Sequence, residues 1–256
     1  MARPESSSII ELVNVHKAFN GLTVLNGLNL RIEAGQITVI IGQSGGGKSV
    51  LLKHMIGLIR PDEGKVLFEG LDTCSLSDKH LNDVRQNFGM LFQNAALFDS
   101  MTVGENVAFP LREHTRLKQR EIVEVVEHKL RQVGLRDVTQ KMPSELSGGM
   151  KKRVGLARAL VLEPKVVLFD EPTTGLDPIT ADAIDRLIVD TQKYTNATYV
   201  VISHDIDSTF KIADTVAMLY DGRIAEIGKP EAIRASENLA LQQFIQGKAE
   251  GPIQVV

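Results

Sequence analysis

A chain of 256 residues with a net charge of -3 can form one large domain with a buried core, or a domain that carries an extra lobe. The acidic balance argues against a general nucleic-acid binder, which needs an excess of basic residues. Cys74 is the single cysteine, which excludes an intrachain disulfide and fits a reducing compartment.

The first half of the chain begins with strand patterns. Residues 1–8 lack the apolar segment of a secretion signal. Residues 9–15 and 24–32 are strand-like, with apolar residues at alternate positions towards the end of the second run. Residues 37–41 form a continuous run rich in β-branched side chains before a glycine, which predicts a buried strand leading into a turn. Helical spacing of apolar residues follows over residues 48–58.

The middle of the chain, about residues 97–162, has a mostly helical pattern and is predicted to be a lobe inserted in the sheet. One apolar stripe at helical spacing consists of Ile122, Val126, Leu130 and Val133. Strand patterns return at residues 166–169, 199–203 and 216–220, with a helical stretch over residues 178–194. This alternation predicts a mainly parallel sheet with right-handed crossovers. Since no run approaches the ~18 apolar residues of a membrane helix, any membrane role is expected to depend on partners.

A glycine-rich segment between the predicted strand at 37–41 and the helix that follows is the strongest chemical signal. It fits the pattern G-x-x-x-x-G-K-[ST] of a loop that wraps nucleotide phosphates, and comprises Gly42, Gln43, Ser44, Gly45, Gly46, Gly47, Lys48 and Ser49. Glycines let the backbone approach the phosphates, and N–H groups at the helix N-terminus offer donors. Lys48 is expected to reach the β- and γ-phosphates, and Ser49 to bind Mg²⁺. The alternative, a glycine-rich turn with a solvated lysine, is disfavoured by the flanking elements.

Two acids, Asp170 and Glu171, end the apolar strand predicted at residues 166–169. Both carboxylates are expected at the carboxyl edge of the sheet, where open α/β sheets bind their ligands. Asp170 suits Mg²⁺, and Glu171 suits a general base or a group that orients the attacking water. A single acid at the end of a strand is commonly only a solvated side chain. Here that alternative is disfavoured, because phosphoryl transfer needs both the acids and the phosphate-binding loop, and the sequence has both.

Further motifs, in order along the chain, resemble those of the ABC ATPase family. The segment Leu-Ser-Gly-Gly-Met at residues 146–150 is similar to the family signature, although Met150 stands where the family has glutamine. The segment Thr-Gly-Leu-Asp ending at Asp177 resembles the D-loop. Gln93 matches the Q-loop glutamine, His204 the switch histidine and Phe19 the aromatic residue that stacks on adenine.

The resemblance spans about residues 9–231 and implies a P-loop NTPase fold of the α/β class. The expected domain covers residues 9–246, with a mostly parallel sheet core, an antiparallel β subdomain and the inserted α-helical lobe. A loosely held C-terminal tail is expected over residues 247–256. Residues 151–153, which are all basic, are interpreted as a solvated face beside the signature helix.

Roles for individual residues follow from the resemblance, with ATP and Mg²⁺ as cofactors. Catalysis is assigned to Glu171, His204 and Gln93. Metal binding is assigned to Ser49, Gln93 and Asp170. The signature residues Ser147, Gly148 and Gly149 are expected to complete the site of a second subunit, and Asp177 is assigned to the D-loop.

The signature with its methionine, the segment after Gln93 and the segment before residue 247 resemble the ATPases of MCE-linked lipid transporters, such as the Mla phospholipid system. This implies a homodimer on the cytoplasmic face of the inner membrane, with permease subunits, an MCE-type protein and a small accessory subunit, and without nucleic acid.

A generic importer for a small polar solute or anion is the alternative. A non-transport ABC ATPase is disfavoured, because the chain has neither a second cassette nor a long coiled coil. A silent regulator is disfavoured because Glu171 and His204 are present.

Overall fold

The computed structural model describes residues 8–254. Residues 1–7, most of the segment in which no secretion signal is predicted, and the last two residues of the predicted tail lie outside this range. The chain divides into two compact units, and each is described by itself. The first unit is Met1–Arg85 with Val200–Val256, and the second unit is Gln86–Tyr199.

The elements alternate between strands and helices along much of the chain. Within residues 8–254 the strands are β1 (Ser8–Phe19), β2 (Leu22–Glu33), β3 (Ile37–Ile41), β4 (Glu63–Phe68), β5 (Leu71–Asp72), β6 (Phe88–Leu91), β7 (Val166–Asp170), β8 (Thr198–Ile202), β9 (Thr215–Tyr220) and β10 (Arg223–Gly228). The helices of the same range are α1 (Lys48–Met55), α2 (Asp78–Arg85), α3 (Val103–His114), α4 (Gln119–Gln132), α5 (Gly148–Leu160), α6 (Pro178–Thr195), α7 (Ile206–Ile212), α8 (Pro230–Arg234) and α9 (Leu239–Gln246).

The first unit contains an antiparallel sheet of order β2-β1-β4-β5. Strand β1 pairs antiparallel with both β2 and β4, and Ile10, Leu12 and Val15 of β1 are buried. Both strands predicted in this region are present, and both are longer than the apolar patterns indicated. The sequence did not predict β4 and β5, which are short and mix polar with apolar residues.

The first unit also contains the strands that lead to the phosphate-binding segment. Strand β3 pairs parallel with β9, and β9 pairs antiparallel with β10. The backbone N–H of Ser203, just after β8, donates to the carbonyl oxygen of Ile40 at 3.2 Å. All five residues of β3 are buried, which explains why its sequence is a continuous run rather than an alternation.

In the second unit, β6 pairs parallel with β7, and helices α3, α4 and α5 pack against one another. The predicted stripe of α4 faces inward, since Ile122, Val126, Leu130 and the following Val133 are buried. Together the two units contain the parallel strands, the antiparallel sheet and the helices that the sequence predicted. The predicted fold class is therefore confirmed.

Candidate functional site

The glycine-rich loop of the first unit has a path that only glycine allows at two points. Gly42, directly after β3, has a φ of +151°, and a Cβ atom there would collide with the carbonyl oxygen of Leu219. Gly47 has a φ of +93°, and its Cβ would lie 2.8 Å from Cγ1 of Val24. At both positions the loop passes too close to its neighbours for a side chain to fit. Glycine also lets the backbone of such a loop approach bound phosphates closely.

Lys48 begins helix α1 and is only 5% exposed. Its Nζ atom donates to the carbonyl oxygens of Gly42 at 2.8 Å and Gln43 at 2.9 Å. The ammonium group is thus held inside the curve of the loop by backbone oxygens. The loop is also closed by the N–H of Gly46, which donates to the carbonyl oxygen of Gln43 at 3.0 Å. Ser49, in the first turn of α1, is exposed. The Lys48 ammonium group, the Ser49 hydroxyl and the N–H groups at the start of α1 can therefore bind an anion together.

Two other predicted residues of the first unit lie at the end of a strand or just beyond it. Phe19 ends β1 with its side chain 42% exposed, and Nζ of Lys17 lies 5.4 Å from the ring centre. An aromatic ring in this position can stack on a flat ligand. His204 is exposed and follows Ser203, whose backbone bond to β3 brings this part of the chain alongside the strand that leads into the loop.

The prediction that residues 247–256 form a loosely held tail is wrong for its described part. The side-chain amide of Gln243 donates to the carbonyl oxygen of Ile253 at 3.0 Å and accepts from its N–H at 2.7 Å. Ile253 is buried. The carbonyl oxygen of Gln254 accepts a hydrogen bond of 3.2 Å from Nε2 of Gln43 in the phosphate-binding loop. A side-chain amide that pairs with a backbone ten residues away leaves no pattern in the sequence.

In the second unit, Glu171 follows β7 and has a φ of +49°. This left-handed conformation costs a residue other than glycine about 1–2 kcal/mol. Its Oε2 atom accepts hydrogen bonds from Nε2 of Gln93 at 3.2 Å and from Oγ1 of Thr174 at 3.0 Å. The structure therefore brings together two predicted catalytic residues, and adds a contact from Thr174, which the sequence assigned to the D-loop segment without a role at Glu171. Asp170, which ends β7, is half-buried.

Lys152 corrects the interpretation of residues 151–153 as a solvated face. Its side chain is only 5% exposed, and Nζ donates to the carbonyl oxygen of Gln93 and, at 3.3 Å, to that of Glu171. Burial lowers the pKa of the Lys152 ammonium group, and the charges of Glu171 and Asp170 offset part of this effect. Helix α5 packs against β6, and Lys152 reaches the carbonyl oxygen of Gln93 just after that strand, so its side chain is covered.

The signature and the D-loop meet at two helix N-termini. The hydroxyl oxygen of Ser147 caps α5 and accepts from the N–H of Met150 at 3.3 Å. Asp177 caps α6, and its carboxylate accepts from the N–H and the hydroxyl of Thr180 at 3.0 and 2.6 Å. The hydrogen bonds from Thr180, above all, lower the pKa of Asp177. A Cβ added to Gly149 would lie 2.6 Å from Cγ2 of Thr180, so the signature backbone packs directly on the helix that Asp177 caps.

The segment after Gln93 is held by side chains that the sequence reasoning missed. The guanidinium group of Arg158 on α5 donates to the carbonyl oxygens of Ala95 at 2.8 Å and Ala96 at 2.7 Å. Asn106 on α3 is fully buried and accepts from the N–H of Phe98 at 2.8 Å. The two N–H groups of its amide are shared among three carbonyl oxygens, those of Phe98, Met101 and Thr102. Neither Arg158 nor Asn106 belongs to a sequence motif, because each donates hydrogen bonds to a segment that only folding brings close to it.

The residues predicted to bind Mg²⁺ suit an ion that binds together with a nucleotide. Within residues 8–254, no group of three or more histidine, cysteine or acidic side chains could hold a metal by itself. The predicted set has one carboxylate, on Asp170, with the hydroxyl of Ser49 and the amide of Gln93. Protein sites for Mg²⁺ commonly supply one or two carboxylates and leave other positions to phosphates and water.

A phosphate-binding glycine loop follows one parallel strand, and another strand ends in two acids, Asp170 as its last residue and Glu171 directly after it. With a glycine signature at the start of a helix, these features define an ATPase of the ABC type. The sequence profile of the family described as ABC transporter matches residues 25–174. The chain belongs to this family, as the motifs predicted. The predicted activity, ATP hydrolysis coupled to transport, is the activity of the family.

Among residues 8–254, no helix is both long and apolar enough to cross a membrane.

Curated relatives resemble the chain over almost its whole length. The intermembrane phospholipid transport system ATP-binding protein MlaF of Haemophilus influenzae is 42% identical over 97% of this chain and 94% of that protein. MlaF of Escherichia coli strain K12 is 40% identical over 96% and 92%. The probable ribonucleotide transport ATP-binding protein mkl of Mycobacterium leprae is 42% identical over 95% of this chain and 70% of that protein.

Solved structures share the fold at lower identity. A dimeric ATP-binding cassette in a post-hydrolysis state with ADP and Pi has a TM-score of 0.79 and 31% identity over 86% of this chain and 98% of that chain. A subunit of the cbiONQ ABC transporter complex from Clostridium perfringens has a TM-score of 0.83 and 33% identity over 91% of this chain and 92% of that chain.

Proposed function

We propose that this chain is the ATP-hydrolysing subunit of an ABC transporter that moves phospholipid between membranes. The observation that carries the proposal is 42% identity over 97% of this chain and 94% of a relative named for intermembrane phospholipid transport. A relative named for ribonucleotide transport has the same identity, but only 70% of its length is matched. Two relatives named for phospholipid transport, 42% and 40% identical to this chain, favour the phospholipid assignment.

Nucleotide binding is assigned to the glycine loop and to Phe19. The N–H groups of residues 42–49 and the α1 N-terminus attract the phosphates, and Phe19 stacks on the adenine ring. Lys48 leaves the loop carbonyls it now contacts and neutralises the β- and γ-phosphates. Ser49, Gln93 and Asp170 would hold Mg²⁺, which when bound supplies neutralisation of phosphate charge.

Hydrolysis depends on positioning more than on covalent chemistry, since the transferred phosphoryl group passes through a loose transition state. Glu171 orients the attacking water and accepts its proton. Its carboxylate is already fixed by Gln93 and Thr174, so little reorganisation is required at the moment of reaction. Gln93 and His204 respond to the γ-phosphate.

Each site is completed by a second copy of the chain, through Ser147, Gly148, Gly149 and the D-loop residue Asp177. The dimeric state of similar solved cassettes supports this assembly. ATP then joins two subunits, and hydrolysis releases them. The dimer works on permease subunits at the cytoplasmic face of the inner membrane, with an MCE-type protein and a small accessory subunit.

A polar solute such as a ribonucleotide is the second candidate substrate, because of the mycobacterial relative's name. The complex should be purified with its membrane partners in detergent micelles, and its ATPase rate measured with phospholipid or with a ribonucleotide other than ATP supplied as substrate. We expect co-purified phospholipid by mass spectrometry and stimulation by phospholipid, with a Glu171→Gln complex as the inactive control. Bound or stimulating ribonucleotide without lipid would refute the phospholipid assignment and leave the ABC ATPase assignment intact.

The shared site is tested with a mixed dimer in which one subunit is Lys48→Ala and the other Ser147→Arg. If the loop of one subunit works with the signature of the other, both lesions fall in one site and the second site is intact. With Glu171→Gln added to both chains to stop turnover, this dimer should trap ATP, whereas either homodimer should not. Trapping at the homodimer level would refute the role of Ser147 in the second subunit.

A further inference from the structure

Lys152 lies at the centre of a closed set of contacts in the second unit. Its Nζ atom donates to the carbonyl oxygens of Gln93 and Glu171. The side chains of the same two residues are joined to each other by a hydrogen bond of 3.2 Å. One ammonium group thus holds the backbone of both residues whose side chains meet, and this leaves little freedom for either side chain to move independently.

The contact to Glu171 has a specific consequence, because this residue has the left-handed φ of +49°. Residues other than glycine adopt that conformation only when their surroundings hold it. Two donors meet the Glu171 carbonyl oxygen, the ammonium of Lys152 at 3.3 Å and the N–H of Thr174 at 3.3 Å. The backbone conformation sets the direction of the Glu171 side chain, so these donors also fix where its carboxylate lies.

Lys152 also belongs to α5, the helix that Ser147 caps and on which Gly149 lies. A helix rises about 1.5 Å per residue, so Lys152, five residues after the cap, is only about 7.5 Å from it along the axis. Over this distance a helix moves as one body. A movement of the signature therefore reaches the Glu171 carbonyl oxygen through a single side chain.

We propose that Lys152 is a positioning residue for hydrolysis, which fixes the backbone of Glu171 and couples it to the position of helix α5. This inference rests on the proposed function, in which Glu171 orients water and the signature completes the partner's site. Engagement of the signature by the partner's nucleotide then sets the carboxylate geometry in the subunit that supplies the signature. Each subunit thereby couples the two sites of the dimer.

The test compares Lys152→Met with Lys152→Arg, and with Lys151→Met as the matched control on the same helix. Lys152→Met keeps the aliphatic chain and removes the donors, so kcat should fall about tenfold to hundredfold, the scale of a small misplacement of catalytic groups. The KM for ATP, the affinity for ATP and the Tm should change little. Lys152→Arg should recover much of the loss, and Lys151→Met should behave as the parent.

A second measurement separates positioning from a general structural role. In a Glu171→Gln background, measured by single turnover, Lys152→Met should add almost no further loss, because both changes act on the same group. Parental kcat in Lys152→Met, or a full additional loss in the Glu171→Gln background, would overturn the proposal. If the Met variant does not fold, Lys152→Gln takes its place under the same two criteria. An inactive parent protein would instead refute the proposed function.

Discussion

Gly149 offers a test of why the signature needs glycine. Its added Cβ would lie 2.6 Å from Cγ2 of Thr180, inside the distance at which carbon atoms repel. Thr180 cannot simply rotate away, because its hydroxyl and its N–H both donate to Asp177. Overpacking of this kind costs about 1–3 kcal/mol, and alanine's better helix propensity returns at most about 1 kcal/mol. We expect Gly149→Ala to lower stability by about 1–2 kcal/mol, or the Tm by roughly 2–8 °C.

Thr180→Ser is the compensating change, since it removes Cγ2 and keeps the hydroxyl that donates to Asp177. Thermal unfolding of the parent, both single variants and the double variant should show that Thr180→Ser restores most of the stability lost in Gly149→Ala. In the proposed dimer the signature backbone approaches the partner's nucleotide closely, so ATP-dependent dimerisation, measured in a Glu171→Gln background, should stay impaired in the double variant. A double variant no more stable than Gly149→Ala would refute the packing argument, and restored dimerisation would refute the role of Gly149 in the partner's site.

Four further outcomes are expected. Glu171→Gln should reduce turnover roughly 10²–10⁴-fold in a steady-state assay with ATP still bound, and parental turnover would exclude its role with the water. Lys48→Ala should weaken ATP binding in equilibrium dialysis, and unchanged affinity would refute its contact with the phosphates. Asn106→Ala should lower the free energy of unfolding in urea by about 2–4 kcal/mol, since four buried backbone groups lose their side-chain partner, and a loss under about 0.5 kcal/mol would contradict this. Truncation after Gly247 should cost about 1–3 kcal/mol in the same assay because Ile253 is buried, and an unchanged midpoint would show that the tail contributes nothing.

The elements that the sequence predicted are those with a continuous or periodic apolar pattern. Strands β3 and β7 are buried along their apolar runs, so their composition alone marks them. The stripe of α4 is periodic because one side of the helix packs on its neighbours. Strands β4, β5 and β10 carry polar residues and are strands because of the partners they pair with. Pairing between distant segments is invisible to a local pattern, so these strands were not predicted.

The two parts of the site differ in the same way. The phosphate-binding loop is determined by its own backbone, where positive φ and close approach require Gly42 and Gly47, and such requirements appear as a motif. Around Glu171 and in the segment after Gln93 the backbone is instead held by long side chains that donate to its carbonyl oxygens, Lys152 at Glu171 and Arg158 at Ala96. Any residue type can present a carbonyl oxygen, so the recipient of such a bond leaves no trace in the sequence. Substitutions in the loop should therefore act mainly on binding, whereas loss of a donor on α5 should act on the geometry of hydrolysis while the bound nucleotide stays in place.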